Sequence, residues 1–319
     1  MSCQNCSRCH KCHCENNQDY EVAFRKLADS HSQMMGMLDE FLATPPSADS
    51  FKEFSLRLTQ SRDEVFNGIP ISDEFLECCA VGKVGNPTPS WHGTGVLIHP
   101  KIVLTAAHLH SANVNLVNLK ALNARIPVVQ KETLVVKPHP DYPFNAPVGF
   151  RFPYDIGIMI LPIAAPDDII PAKLATTEEI NQAHAITVVG FGASRVNGIG
   201  QGRKRKGLDI PITYLKRNPT EDFRDEEWRL HFRANFEFIA KGPNEDGKIF
   251  DTCPGDSGGP AYIKVGNEFK LAGLTARAIP SINDCGDGGV YTRVDKYFDF
   301  IKEVAENSEY NITDFNPPN

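Results

Sequence analysis

The sequence predicts an all-β domain, a sandwich or a pair of barrels, with helices confined to its two ends. Three patterns carry that expectation. From about residue 65 onward, short apolar or β-branched runs alternate with Gly, Pro and Asn turns at short, even intervals. The last segment changes period: Val294, Tyr297, Phe298, Ile301 and Val304 recur three and four residues apart, the spacing of one helical face. Ahead of the strands, Tyr20, Phe24, Leu27, His31, Met34, Leu38 and Phe41 repeat at that same spacing.

Taken in chain order, residues 18–43 predict an amphipathic helix, which Thr44-Pro45-Pro46-Ser47 ends. Phe51, Phe54 and Leu58 predict a second, shorter helix that stops near Arg62. A helical hairpin of this kind must bury its apolar face, either on the neighbouring domain or on a partner. Residues 1–64 therefore read as a separate, small α-helical region and residues 65–319 as the main domain. Strands are expected at 79–84, 95–98, 102–104, 128–130, 133–136, 156–161 and 185–189, then at 210–214, 231–238, 261–265, 270–275 and 289–294. Cys78 and Cys79, at the first strand, read as buried structural thiols.

Composition narrows the classes. With 41% hydrophobic and 23% charged residues in 319, the chain can build a sizeable core. A net charge of −7 speaks against nucleic acid or an anionic membrane as partner. No window approaches the roughly 20 apolar residues of a membrane span. The amino terminus lacks the basic-then-apolar order of a secretory signal, so a cytoplasmic location is expected. It opens instead on Cys3, Cys6, Cys9, Cys12 and Cys14, with His10 and His13 between them. Thiolates at such intervals can wrap one soft cation, and Cys3, Cys6, Cys9 and Cys12 would give zinc four tetrahedral ligands. The competing reading is a disordered tail of exposed thiols, because the cluster lacks a second ligand pair further along the chain.

The chemistry concentrates in Asp251-Thr252-Cys253-Pro254-Gly255-Asp256-Ser257-Gly258-Gly259-Pro260. Gly255 lets backbone approach a substrate carbonyl, and its N–H and that of Ser257 can face a developing oxyanion. Asp256, beside the serine, needs a cationic partner if it is buried. This stretch resembles the active-site motif of the trypsin/chymotrypsin family of serine proteases. Such a motif requires a histidine and then an aspartate upstream. Leu104-Thr105-Ala106-Ala107-His108 and Tyr154-Asp155-Ile156-Gly157 resemble the family's two other motifs, with 47 residues from His108 to Asp155 and 102 from Asp155 to Ser257.

The resemblance spans roughly residues 65–306 and implies two antiparallel β-barrels with a C-terminal helix, the cleft lying between the barrels. It implies a Ser257, His108 and Asp155 triad with an oxyanion hole of the Gly255 and Ser257 N–H groups, and no cofactor for catalysis. Asp251, six before the serine, falls at the base of the family's primary pocket, where an aspartate selects Lys or Arg; Gly289 matches a wall glycine that keeps the slot deep. Where the family often has Ser-Trp-Gly, this chain has Ala276-Arg277-Ala278. Arg277 then either favours acidic residues upstream of the cut or competes for Asp251, giving a non-basic specificity. Cys253 and Cys285 match a family disulfide, with free thiols as the alternative in a reducing cytoplasm. The family's cysteine pair around the histidine is absent, with His92 and Leu109 in those places, as bacterial, intracellular members would have it.

Gly190-Phe191-Gly192 resembles the start of the family's flexible loop and runs into Arg203-Lys204-Arg205-Lys206, expected as an exposed basic cluster and a site of self-cleavage. Val65-Phe66-Asn67-Gly68 resembles the family's mature amino terminus, so that a freed Val65 would pair with Asp256. That cut follows Glu64, which a Lys/Arg-specific enzyme does not make on itself. Latency is therefore expected until another protease cuts, or a regulatory protein binds residues 1–64. The reading from another class is a non-catalytic interaction protein that keeps the barrels as a scaffold.

Overall fold

The computed structural model describes residues 68–70, 80–85, 91–112, 116–118, 135–145, 154–193, 202, 204–214, 233–279 and 285–318. Thirteen strands among them form two antiparallel sheets. After β1 (Ile69–Pro70) come β2 (Val81–Gly85), β3 (Trp91–His99), β4 (Ile102–Thr105), β5 (Leu116–Asn118), β6 (Lys137–Pro138) and β7 (Gly157–Ile160). These six pair in the order β5-β2-β3-β4-β7-β6. The second sheet holds β8 (Ala185–Gly190), β9 (Arg205–Tyr214), β10 (Glu237–Ala240), β11 (Pro260–Val265), β12 (Glu268–Ala278) and β13 (Gly289–Arg293). Its order is β9-β10-β13-β12-β11-β8, and β8 pairs back to β9, closing a six-stranded barrel with β1 attached to β9. The expected all-β, trypsin-like architecture is present.

Patterning explains where the core sits. Ile102, Val103 and Leu104 are all fully buried, because β4 lies between β3 and β7 and has apolar neighbours on both faces. One cluster joins the first sheet, through Val96 and Leu104, to Val189, Tyr262, Leu271 and Leu274 of the second. A separate cluster of Ile186, Val188, Ile210, Phe238, Ile263 and Tyr291 packs together on the second sheet. At the C-terminus a 3₁₀ turn, Val294–Tyr297, leads into helix α2 (Phe298–Glu306), whose Ile301 and Ala305 are buried as the spacing predicts.

Three local expectations differ. A helix α1 (Thr177–Gln182) precedes β8, started by a capping box in which Thr176 and Glu179 satisfy each other's backbone N–H groups. The strand expected at 231–238 begins only at Glu237, because Asn235 adopts φ 72° and the Phe236 and Glu237 N–H groups turn back onto the Arg233 carbonyl. The basic cluster is not an exposed loop in its described part. Lys204 and Arg205 are 2% and 0% exposed, since β9 is flanked by both β8 and β1. The Lys204 ammonium lies 5.3 Å from the Phe191 ring centroid, and Arg205 Nη1 donates to the Gly68 carbonyl. The helices expected at 18–43 and 51–62, the strand at 128–130, Cys78, Cys79, Val65 and the cluster Cys3, Cys6, Cys9 and Cys12 lie outside the described residues.

Candidate active site

His108 sits on a 3₁₀ turn, Ala107–Ala112, that leaves β4, and Asp155 lies two residues before β7. Pairing of Thr105 with Gly157 brings the two strand ends together. Asp155, 3% exposed, then grips the histidine twice: the His108 backbone N–H donates to Oδ1 at 3.0 Å, and ring Nδ1 lies 2.8 Å from Oδ2. A carboxylate at Nδ1 places the ring proton there and makes Nε2 the nitrogen that can accept one. The aspartate is presented by an unusual backbone. Tyr154 has φ 73°, a left-handed conformation that costs a non-glycine residue about 1–3 kcal/mol.

The serine loop reaches the same strand end from the second sheet. Ser257 accepts Thr94 N–H on its carbonyl, and Gly258 N–H donates to Thr275 O, each at 2.8 Å. Thr94 also bridges the sheets through its hydroxyl, which donates to Gly255 O at 3.0 Å. Gly258 has φ 78°, and a Cβ there would lie 2.2 Å from Thr105 Oγ1 and 2.5 Å from Ala106 N. Only glycine allows that approach, two residues from His108. The Pro254 carbonyl accepts Ala193 N–H at 2.9 Å. In a trans peptide the following N–H, that of Gly255, points the opposite way. Asp256, Gly258 and Gly259 spend their N–H groups inside the loop and on Thr275, whereas those of Gly255 and Ser257 meet no acceptor among the described residues. Backbone donors at these two positions, flanking Asp256 beside a half-buried hydroxyl, can stabilise an oxyanion.

Asp256 is 1% exposed and turns away from the serine. Its Oδ1 accepts Gly192 N–H at 2.7 Å and its Oδ2 accepts Cys253 N–H at 2.9 Å. Cβ atoms at Gly190 and Gly192 would fall 1.9 and 2.3 Å from the carboxylate oxygens, so both positions must be side-chain-free for it to fit. Cys253 and Cys285 are joined in a disulfide, which ties this loop to the segment holding Gly286 and Gly288.

Those two glycines bear on Asp251. Its Oδ2 accepts Gly286 and Gly288 N–H at 2.7 and 2.9 Å, and its Oδ1 accepts Thr252 N–H at 2.7 Å. The carboxylate is 1% exposed and has no ion pair among the described residues. Burial pushes its pKa up to about 6, against the opposing pull of the three N–H donors, and neighbouring Asp287 adds to the rise. Gly289 lies alongside: a Cβ there would meet Tyr291 Oη at 2.9 Å and Thr252 Oγ1 at 3.0 Å.

Arg277 has a partner that the sequence reading missed. Its Nη1 and Nη2 donate to Glu237 Oε1 and Oε2 at 2.6 and 3.0 Å, a bidentate pair in which the Glu237 side chain is wholly buried and that of Arg277 is 19% exposed. Glu237 additionally accepts Arg233 N–H at 2.8 Å. The alternative that Arg277 draws Asp251 away from its pocket finds no support in these contacts. Arg277→Ala would leave Glu237 buried without its cation and should lower stability by about 3 kcal/mol. Urea unfolding reads this directly, and a loss below about 1 kcal/mol would show that the carboxylate recovers water instead. Nothing in the spacing around Glu237, set between Phe236 and Phe238, marks it as the buried partner of a cation 40 residues away.

Residues 77–301 match the family model described as Trypsin. The chain is 30% identical over 216 residues to the trypsin of Saccharopolyspora erythraea, covering 66% of this chain and 85% of that protein. It is 31% identical over 179 residues to a phenoloxidase-activating enzyme of Bombyx mori, covering 53% of this chain and 38% of that one. Over 237 residues it is 26% identical to the complement C1s subcomponent of Rattus norvegicus, covering 68% of this chain and 33% of that one. The chain thus spans well under half of the latter two proteins.

Proposed function

Because the chain belongs to the trypsin family of serine proteases, we propose that it is an endopeptidase that cuts after Lys or Arg through Ser257, His108 and Asp155. The observation that carries the reading is the double grip of Asp155 on His108 at the strand end against which Gly258 is packed. In the reaction Ser257 Oγ attacks the scissile carbonyl while His108 Nε2 takes its proton. Asp155 stabilises the resulting imidazolium from Nδ1, and the Gly255 and Ser257 N–H groups bind the oxyanion. His108 then delivers the proton to the departing amine, and water repeats the sequence to release the acyl group. Asp251 accepts three hydrogen bonds, leaving acceptor capacity that a guanidinium or ammonium would fill.

Latency belongs to the same proposal. Asp256 is buried in a glycine cradle, and β1 lies across β9 from the Gly190 strand: Pro70 pairs with Arg205, which pairs with Gly190. An amino terminus at Val65, three residues before Gly68, is close enough along the chain to bring an α-ammonium to that carboxylate. A chain beginning at Val65 should therefore cut Arg and Lys peptides, with product termini read by mass spectrometry, and the full-length chain should do so poorly. An α-amino group paired with Asp256 has its pKa raised above its usual value of about 7.7–8.0. Its support for the active state is complete below that value and is lost as pH rises through the raised one. Equal activity in the intact, uncut chain would contradict latency, and intact peptides from both chains would contradict the endopeptidase reading. Residues 1–64 are proposed to carry the regulatory contact, with Cys3, Cys6, Cys9 and Cys12 as a structural zinc site.

A further inference from the structure

We infer that Tyr297 is a positioning residue for Asp155: its hydroxyl holds the Tyr154 peptide in the left-handed conformation that aims the carboxylate at His108. The inference rests on the triad reading above and adds a residue 143 positions from Tyr154, at the end of the turn before the C-terminal helix. The Tyr154 N–H donates to Tyr297 Oη at 3.1 Å. On the other side of Asp155, Ile156 N–H donates to the Tyr154 carbonyl at 2.7 Å, so Asp155 is the central residue of a three-residue turn. The tyrosine at φ 73° has no glycine freedom to explain its conformation. With its N–H released, the peptide would relax toward negative φ and carry the adjoining carboxylate off the histidine, whose ring and backbone it now meets at 2.8 and 3.0 Å.

The anchor is built rigidly. Tyr297 is 2% exposed, and His139 packs edge-on against it at 5.4 Å while stacking on the Tyr154 ring at 4.7 Å and 17°. Phe236 and Phe300 complete the aromatic box. His139 also secures the far side of the turn, its N–H donating to Ile156 O at 3.0 Å. Burial, with Glu237 and Asp155 nearby, pushes the phenol pKa up, so the hydroxyl stays neutral throughout the working range. A neutral oxygen can accept the Tyr154 N–H without adding charge beside Asp155.

Tyr297→Phe keeps the ring and removes only the acceptor. In the chain beginning at Val65, kcat should fall about tenfold with KM within about twofold, the rate equivalent of one lost hydrogen bond acting on the chemical step. A second readout does not need activity: NMR titration of the His108 ring, in the Ser257→Ala background with and without Tyr297→Phe. Its midpoint should move to lower pH by roughly half a unit to one unit as Asp155 loses its aim. Unchanged kcat and an unchanged midpoint would overturn the inference, as would a fall in kcat with the midpoint fixed, which places the effect elsewhere. If the chain beginning at Val65 hydrolyses nothing yet the midpoint moves, the protease reading fails and the Tyr297 anchor stands.

Discussion

Ser257→Ala should reduce peptide hydrolysis by about a millionfold and leave the fold unchanged, because the hydroxyl builds none of the core. The loop is held by its backbone: the Ser257 carbonyl, Gly258 N–H and Gly259 carbonyl make the bonds to Thr94 and Thr275. Those contacts survive the substitution. His108→Ala should cost nearly as much, since without a base the hydroxyl stays protonated, and the two losses together should be far from additive. Kinetics on a chain beginning at Val65 give both numbers. Retention of more than about a hundredth of the rate in Ser257→Ala would require another nucleophile.

Asp251→Ser should erase discrimination between Arg and Leu before the scissile bond, where the unmutated chain should prefer Arg by a factor of hundreds or more. A desolvated carboxylate held by three N–H groups is a site that only a cation completes. The raised pKa of about 6 gives this an internal control. Above it Asp251 is ionised and should bind the cation; as pH falls through about 6 the carboxyl takes a proton and the Arg preference should decline about tenfold per pH unit. Taking the ratio of kcat/KM for Arg and Leu peptides cancels the protonation of His108, which affects both equally. A ratio independent of pH between about 4 and 8 would show that Asp251 does not meet the substrate.

Much of this arrangement is legible in the sequence. Continuous apolar runs such as Ile102, Val103 and Leu104 announce a strand buried on both faces, and the 3.6-residue period of Val294 to Val304 announces the closing helix. The motif around Ser257 was legible because it requires particular residues at fixed steps, and the glycines at 190, 192 and 258 find their reason in close approach. Other features resisted reading. Lys204 and Arg205 look like a solvated basic loop in one dimension, and only the pairing of this end of β9 with β1 and β8 buries them. The Arg277–Glu237 pair joins positions 40 residues apart, and the Tyr154–Tyr297 bond joins positions 143 apart. No periodicity marks such partners, because each is a single contact set by how the strands and the last turn come together. The capping box at Thr176 and Glu179 was a local signal, overlooked among the strand runs.

The central claim is that Ser257 is a nucleophile activated by His108 and Asp155. A fluorophosphonate, which phosphonylates only an activated hydroxyl and loses fluoride in doing so, tests it in one step. The chain beginning at Val65 should gain one adduct mass, mapping by peptide mass spectrometry to the segment that contains Ser257. Labelling should vanish with Ser257→Ala and slow by several orders of magnitude with His108→Ala. An adduct elsewhere, or none on a folded chain beginning at Val65, would contradict the account.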